Sequence, residues 1–129
     1  YHGIPKEYFD KGDPYQCYCQ KTTRLMKEKF QDILIETTFQ SRFGPREWLK
    51  PYTDKTLEAL PKKGKKNILM ISPGFSSDCV ETLEELNIQG RESFMKSGGL
   101  NFDYVPCLND NENHINLFEK LVKDYLVLK

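Results

Sequence analysis

The stretch NILMISPGFSSDCVETLEEL, residues 67–86, decides the fold because it joins an apolar run directly to a charged segment. Residues 67–72 are nearly all apolar, a pattern typical of a strand that is buried on both faces of a parallel sheet. Residues 77–96 repeat apolar positions at helical spacing and end at Gly98-Gly99, which predicts a helix. The sequence therefore predicts a buried strand followed at once by an acidic helix.

The segments on either side of this stretch alternate between helix and strand. Asp13-Pro14 predicts the start of a helix over 14–30, and β-branched residues predict a strand over 33–39. A short helix begins at Thr53 and ends at Pro61, and a strand covers 102–108. Apolar positions at spacings of three and four mark the last helix: Ile115, Phe118, Leu121, Val122 and Tyr125. This order predicts an α/β domain, a parallel sheet flanked by helices in a Rossmann-like three-layer arrangement, with its opening strand before residue 1.

Composition narrows the class of protein. A chain of 129 residues suits a single domain, and 19 basic residues balance 19 acidic ones, which argues against a nucleic-acid binder. No apolar run is long enough to span a bilayer. The start Tyr-His-Gly-Ile-Pro has no Met and no signal-peptide pattern, so we interpret the chain as a piece of a larger protein. The cysteines predict reduced thiols in the cytoplasm: Cys17, Cys19, Cys79 and Cys107.

Three irregular segments lie beyond the carboxyl ends of predicted strands or open the chain. They are residues 1–5, 40–52 and 73–81. Ligands of open parallel sheets bind at that edge. We therefore expect His2, Trp48 and Glu81 to converge there.

The acidic helix has two explanations. On an α-helix, Asp78, Glu81 and Glu85 fall at i, i+3 and i+7 and form one stripe, while Glu84 points elsewhere into solvent. Asp78 and Glu81 could form a capping box that the helix dipole favours. Alternatively, the stripe could carry a metal or protons, and clustering should then raise the pKa of at least one member.

The basic and aromatic segment 39–49 also has two readings. Trp48 could offer a stacking face to a flat anionic ligand whose carboxylates meet Arg42 or Arg46. The same pattern suits a surface loop with a packed tryptophan. His2 is either a surface residue or a ligand, and His114, which precedes the last apolar stripe, is expected at the surface.

Five blocks together resemble the C-terminal half of bacterial ferrochelatases. In chain order they read Tyr-His-Gly-Ile-Pro, Gly-Asp-Pro-Tyr, Phe-Gln-Ser-Arg-Phe-Gly-x-x-x-Trp-Leu-x-Pro-Tyr-Thr, Pro-Gly-Phe-Ser-Ser-Asp-Cys-Val-Glu-Thr-Leu-Glu-Glu and Tyr-Val-Pro-Cys-Leu-Asn. They cover nearly the whole chain. The resemblance implies that residues 1–129 form the second of two similar α/β domains, with the porphyrin cleft between them and the N-terminal domain absent.

The resemblance also implies roles for individual residues. The family inserts Fe²⁺ into a porphyrin, the closing step of haem synthesis. Its active-site histidine and glutamate correspond to His2 and Glu81, which serve as catalytic residues and metal ligands. The acidic route continues at Asp78 and Glu85. The residues that correspond to the porphyrin-binding serine and tryptophan are Ser41 and Trp48.

Two departures from the family pattern shape the expectations about metal. Gln89 stands where some relatives carry another acidic residue, and Cys79 stands where many carry histidine. No cysteine follows Cys107, so we expect no iron–sulfur cluster and no tightly bound cofactor, with porphyrin and Fe²⁺ as substrates. Peripheral membrane contact stays open. The alternatives are a non-catalytic metal-binding domain, or a related chelatase for another metal or tetrapyrrole.

Overall fold

The computed structural model describes residues 1–127, and within them helices surround a small parallel sheet. Its elements are α1 (Lys6–Asp10), α2 (Tyr15–Lys29), α3 (Thr53–Ala59), a 3₁₀ turn (Pro61–Lys63), β1 (Asn67–Met70), a π-helix (Glu81–Gly90), α4 (Arg91–Lys96), β2 (Asn101–Tyr104) and α5 (Glu112–Val127). Strands β1 and β2 pair in parallel, with Asn67 opposite Asn101 and Met70 opposite Tyr104. The predicted α/β class with a parallel sheet flanked by helices is confirmed.

One face of the sheet is covered by helices. Ile68 and Met70 of β1 pack against a buried cluster of Leu57, Phe94 and Phe102, which come from α3, α4 and β2. Residues 68 and 70 share a face because side chains alternate along a strand. The intervening Leu69 is 64 % exposed. The prediction that this strand is buried on both faces is therefore wrong for the described residues.

The strand predicted over 33–39 is not formed. Residues 31–38 make no strand pairing, and isolated bridges appear only at the end of the segment, between Phe39 and Tyr52 and between His2 and Gln40. Ile33 and Leu34 are 60 % and 65 % exposed. A segment rich in β-branched residues forms a strand only beside a neighbouring strand, and within 33–39 only Phe39 is bridged to another segment.

The predicted acidic α-helix is observed as a π-helix followed by α4. Asp78 lies ahead of this helix, in the turn after β1, and not on it. A π-helix bonds residue i to residue i+5, so its side chains do not repeat at α-helical spacing. The prediction that Asp78, Glu81 and Glu85 form one stripe on an α-helix is therefore wrong.

Helix α5 forms where the apolar periodicity predicts it, but its apolar stripe faces solvent. Ile115, Phe118 and Leu121 are 51 %, 45 % and 54 % exposed, and His114 is the buried residue of the helix. The pattern thus predicts the helix correctly, and these three side chains of its apolar stripe are about half exposed within residues 1–127. In this described part of the chain, none of the helices has the length and apolarity needed to cross a membrane.

Candidate functional site

Gln40 joins the three segments that were predicted to converge. Its backbone N–H donates to the Tyr1 carbonyl (3.0 Å), and its carbonyl accepts from Gly3 (2.7 Å). Its side-chain Nε2 donates to the carbonyl of Glu81 (3.1 Å). The chain start and the beginning of the π-helix are therefore both bonded to Gln40, the first through its backbone and the second through its buried side chain.

Gly3 allows this close approach. A Cβ atom at that position would lie 2.8 Å from the Gln40 carbonyl oxygen and 3.2 Å from the Trp48 ring. The first distance is shorter than a side chain tolerates, so only glycine lets the two backbones bond here. Leu49 N–H then donates to the Ile4 carbonyl (3.0 Å), which ties the same segment to the far end of the loop.

His2 is held in one tautomer. Its Nδ1 lies 2.6 Å from the carbonyl oxygen of Gly3. Since a carbonyl oxygen only accepts, Nδ1 carries the proton and Nε2 keeps its lone pair in the neutral ring. The Tyr15 hydroxyl donates to the His2 carbonyl (2.9 Å), and burial holds the pKa of Tyr15 well above its ordinary value. The neutral imidazole can therefore take a proton or bind a metal through Nε2.

Glu81 presents a charged carboxylate near His2. A hydrogen bond from the Cys79 thiol holds the pKa of Glu81 below its ordinary value, and the His2 ring lowers the pKa further by a smaller amount. This electrostatic interaction supports the predicted pairing of His2 with Glu81, which stays a prediction. The downward shift is opposite to the rise expected from carboxylate clustering.

Asp78 is an anchor among hydrogen-bond donors. It accepts from Asn109 Nδ2 (2.8 Å), the Tyr104 hydroxyl (3.0 Å), Cys107 N–H (3.2 Å) and the Thr82 hydroxyl (3.0 Å). These donors, Asn109 first, hold the pKa of Asp78 far below its ordinary value. Neither Asp78 nor Glu81 is therefore the cluster member whose pKa was expected to rise.

The predicted capping box is also absent. The first turn of the π-helix has no side-chain cap bond at Val80, and Asp78 lies two residues earlier. Instead, the Thr82 hydroxyl accepts from Cys79 N–H (2.9 Å). A threonine inside the helix thus takes the place of the predicted pair of Asp78 and Glu81.

Glu85 and Ser41 form a second link between the loop and the π-helix. Ser41 N–H donates to Glu85 Oε1 (2.7 Å), and the Ser41 hydroxyl donates to Oε2. Ser41 adopts φ 64°, a left-handed conformation that turns both donors toward one carboxylate. The two residues line an open cavity of about 340 Å³ together with Asp54, Leu57 and Gln89. Ser41 and Glu85, predicted for different tasks, are in direct contact.

The aromatic and basic loop is packed. Trp48 is 6 % exposed, and its Nε1 donates to the Phe43 carbonyl (3.0 Å). The exposed ring is that of Phe43, at 79 %, lying 5.4 Å from the Trp48 ring. Arg42 forms a two-point ion pair with Asp54, and Arg46 pairs with a glutamate of α1. The reading with a packed tryptophan therefore describes this structure.

Three further predictions concern residues around this centre. Gln89 donates to Glu84 (3.1 Å), so Glu84, expected to be merely solvated, has a partner. His114 is 5 % exposed, and its predicted surface position is wrong because its ring bridges two loops. The four cysteines are unpaired, as predicted. Within residues 1–127 no three His, Cys, Asp or Glu side chains are grouped as a metal site.

The sequence reasoning missed the residues that support the site. Gln40, Tyr15 and Asn109 lie inside the blocks quoted above, but nothing in their spacing indicates a partner far along the chain. Gln40 reaches Glu81 across 41 positions, and Asn109 reaches Asp78 across 31. The available indication in the sequence was a polar residue among apolar neighbours at the end of a predicted strand. Such a pattern is a weak signal.

Comparison with known proteins gives a consistent picture. The family model described as ferrochelatase matches residues 1–126. Ferrochelatases of Francisella tularensis subsp. novicida (strain U112), subsp. holarctica (strain FTNF002-00 / FTA) and subsp. tularensis (strain WY96-3418) are each 51 % identical over 133 residues. Each alignment covers all of this chain and 40 % of the relative, so the chain spans well under half the length of these proteins. By its sequence and by the arrangement of its matched segments, the chain belongs to the ferrochelatase family.

Proposed function

We propose that this chain is the C-terminal domain of an enzyme that inserts Fe²⁺ into a porphyrin, the closing step of haem synthesis. One observation carries the proposal: in a chain of this family, Gln40 ties the backbone of the segment that carries His2 to the backbone carbonyl of Glu81. The relatives' names support the reaction. The protein so completed would be a lyase that uses porphyrin and Fe²⁺ as substrates.

The chemistry suits the two side chains. Metallation of a porphyrin requires two pyrrole N–H protons to leave and a metal to arrive without its water shell. The Nε2 lone pair of His2, fixed by the bond from Nδ1 to Gly3, can accept a proton or coordinate Fe²⁺. The charged Glu81 can bind the incoming cation or stabilise the protonated imidazole. The pair thus supplies a base and a ligand in one place.

The loop beside this pair is the proposed porphyrin contact. Ser41 and Trp48 lie on the segment that Gln40 fixes against the π-helix. We propose that the loop holds the macrocycle, with the exposed face of Phe43 available for stacking. Glu85 and Asp78 continue the proposed acidic route from Glu81. We further propose a cytoplasmic protein without a resident cofactor, in which unpaired thiols persist.

The test uses the full-length protein with His2→Ala and Glu81→Ala. Loss of a proton-transfer group typically lowers a rate by about 10²–10⁴-fold, and we expect iron insertion to fall within that range for either variant. The measurement is the appearance of haem under anaerobic steady-state conditions. Porphyrin binding, followed by fluorescence quenching, should change much less.

Glu84→Ala is the matched control, since it removes a carboxylate of the same helix that bonds only to Gln89 in the contacts above. It should retain the wild-type rate within about twofold, as exposed substitutions usually have small effects. Wild-type rates in His2→Ala or Glu81→Ala would refute the assigned roles. An inactive wild-type protein that still binds metal would instead favour the non-catalytic domain.

A further inference from the structure

A polar network lies behind the candidate site and has no task in the scheme above. His114, 5 % exposed, places Nδ1 2.7 Å from the Asn109 carbonyl and Nε2 3.2 Å from the Ser76 hydroxyl. The carbonyl only accepts, so Nδ1 carries the proton and Nε2 accepts from the serine. The ring also lies 4.4 Å from the ring of Phe118. With a neutral ring, His114 therefore makes one hydrogen bond to each of the two loops that it contacts.

Asn109 links the loop that His114 contacts to Asp78. Its φ of 49° is left-handed, a conformation that asparagine adopts more readily than most residues. Its backbone N–H donates to the Ser76 carbonyl (3.0 Å). Its side chain pairs with Asp78 twice: Oδ1 accepts from Asp78 N–H (2.8 Å) and Nδ2 donates to Oδ2 (2.8 Å). The turn before the π-helix is therefore clamped to the loop after β2.

Asp78 is in turn hydrogen-bonded to Thr82, which lies in the helix that carries Glu81. The Thr82 hydroxyl donates to Asp78 Oδ1 (3.0 Å) and accepts from Cys79 N–H (2.9 Å). Thr82 is fully buried and directly follows Glu81. The start of the helix is thus fixed by these contacts as well as by the bond from Gln40.

We infer that His114 and Asn109 are positioning residues that fix, through Asp78 and Thr82, the start of the helix that carries Glu81. This inference rests on the proposed function. Neither residue touches the loop that carries Ser41 and Trp48 in the contacts described. Disturbing them should therefore slow the chemical step and leave porphyrin binding nearly unchanged.

Two substitutions of His114 separate the two bonds of its ring. In His114→Asn an amide nitrogen can stand where Nδ1 stands and keep the bond to Asn109. In His114→Gln the amide reaches the position of Nε2 and keeps only the contact with Ser76. We expect His114→Gln in the full-length protein to lose about tenfold or more in kcat, because small misplacements of catalytic groups are costly. His114→Asn should stay within about threefold of wild type, with porphyrin KM unchanged in both variants.

Amide hydrogen exchange over residues 78–83 gives a readout that does not need catalysis. Faster exchange in His114→Gln than in His114→Asn, at similar Tm, supports the network. Equal exchange and equal kcat in the two variants would overturn it, as would a loss that lies entirely in KM. Absence of iron insertion by the wild-type protein refutes the proposed function, and the exchange comparison still decides whether the network fixes this turn.

Discussion

Asp78 combines a negative charge with four hydrogen-bond donors from three different parts of the chain. The hydrogen-bonding capacity of this carboxylate is already used. Such an arrangement suits a structural anchor better than a group that must bind and release a metal ion or a proton. The charge pattern alone did not distinguish these tasks, because a route, a cap and an anchor all need an acidic residue at this position. Its role on the acidic route stays a prediction, and its anchoring contacts are visible.

The depressed pKa of Asp78 predicts a pH-dependent contribution to stability. In the unfolded chain Asp78 has an ordinary pKa of about 3.9 and takes up a proton below that pH. In the folded protein Asp78 stays charged at those pH values. The stabilisation is complete above that pH and disappears as pH falls through the folded value. Asp78→Asn should lower the free energy of unfolding by about 2 kcal/mol at pH 7 and by less below pH 4. Urea unfolding across this range measures the difference.

Asp103→Asn serves as the control, because Asp103 is exposed on β2. Its free energy of unfolding should stay within about 0.5 kcal/mol of wild type at pH 7. A difference between wild type and Asp78→Asn that does not change with pH would contradict the linkage.

At the scale of elements, the helix after β1 shows what periodicity can and cannot predict. Its existence and its end before Gly98 followed from spacing and glycine punctuation. Its π-helical hydrogen bonding did not, because that depends on contacts with other segments. One such contact joins Glu85 of the helix to Ser41 of the loop. The missing strand over 33–39 has the same origin, since strand formation depends on a neighbour.

The contact between Glu85 and Ser41 predicts a selective effect on stability. Glu85→Ala removes two hydrogen bonds to a charged group, each worth about 1.5–3 kcal/mol, and should destabilise the fold by at least about 1.5 kcal/mol. Glu84→Ala, on the same helix, should change the free energy of unfolding by less than about 0.5 kcal/mol. Chemical denaturation of the two variants side by side makes the comparison. Equal destabilisation would show that the contact with Ser41 contributes nothing.

At the scale of the whole molecule, the chain spans 40 % of the length of the relatives that it matches. The relatives are more than twice as long, and the apolar stripe of α5 and the outer face of Leu69 are open to solvent. The fold class was predicted correctly and the three segments do converge, whereas the pairing of His2 with Glu81 stays a prediction. The apolar periodicity also predicted burial for these residues. Within residues 1–127 they are exposed, because periodicity identifies an apolar face but not the segment that packs against it.

The isolated chain should not metallate porphyrin efficiently. Under the proposed function, the loop around Ser41 and Trp48 contacts one face of a flat macrocycle, and orienting the macrocycle requires contacts on its other face as well. We expect its rate with Zn²⁺ or Fe²⁺ to be at least about 100-fold below that of the full-length protein. Absorbance of the metalloporphyrin product measures both rates. Comparable turnover by the two would refute the need for the remainder of the enzyme.

The position of Gln40 has a consequence for how the site moves. Its backbone is bonded to residues 1 and 3, while its side chain is bonded to the carbonyl of Glu81. The backbone segments that carry His2 and Glu81 are therefore both bonded to one residue, and a displacement of one segment should be transmitted to the other. Gln40 in this way limits how far the two segments can separate.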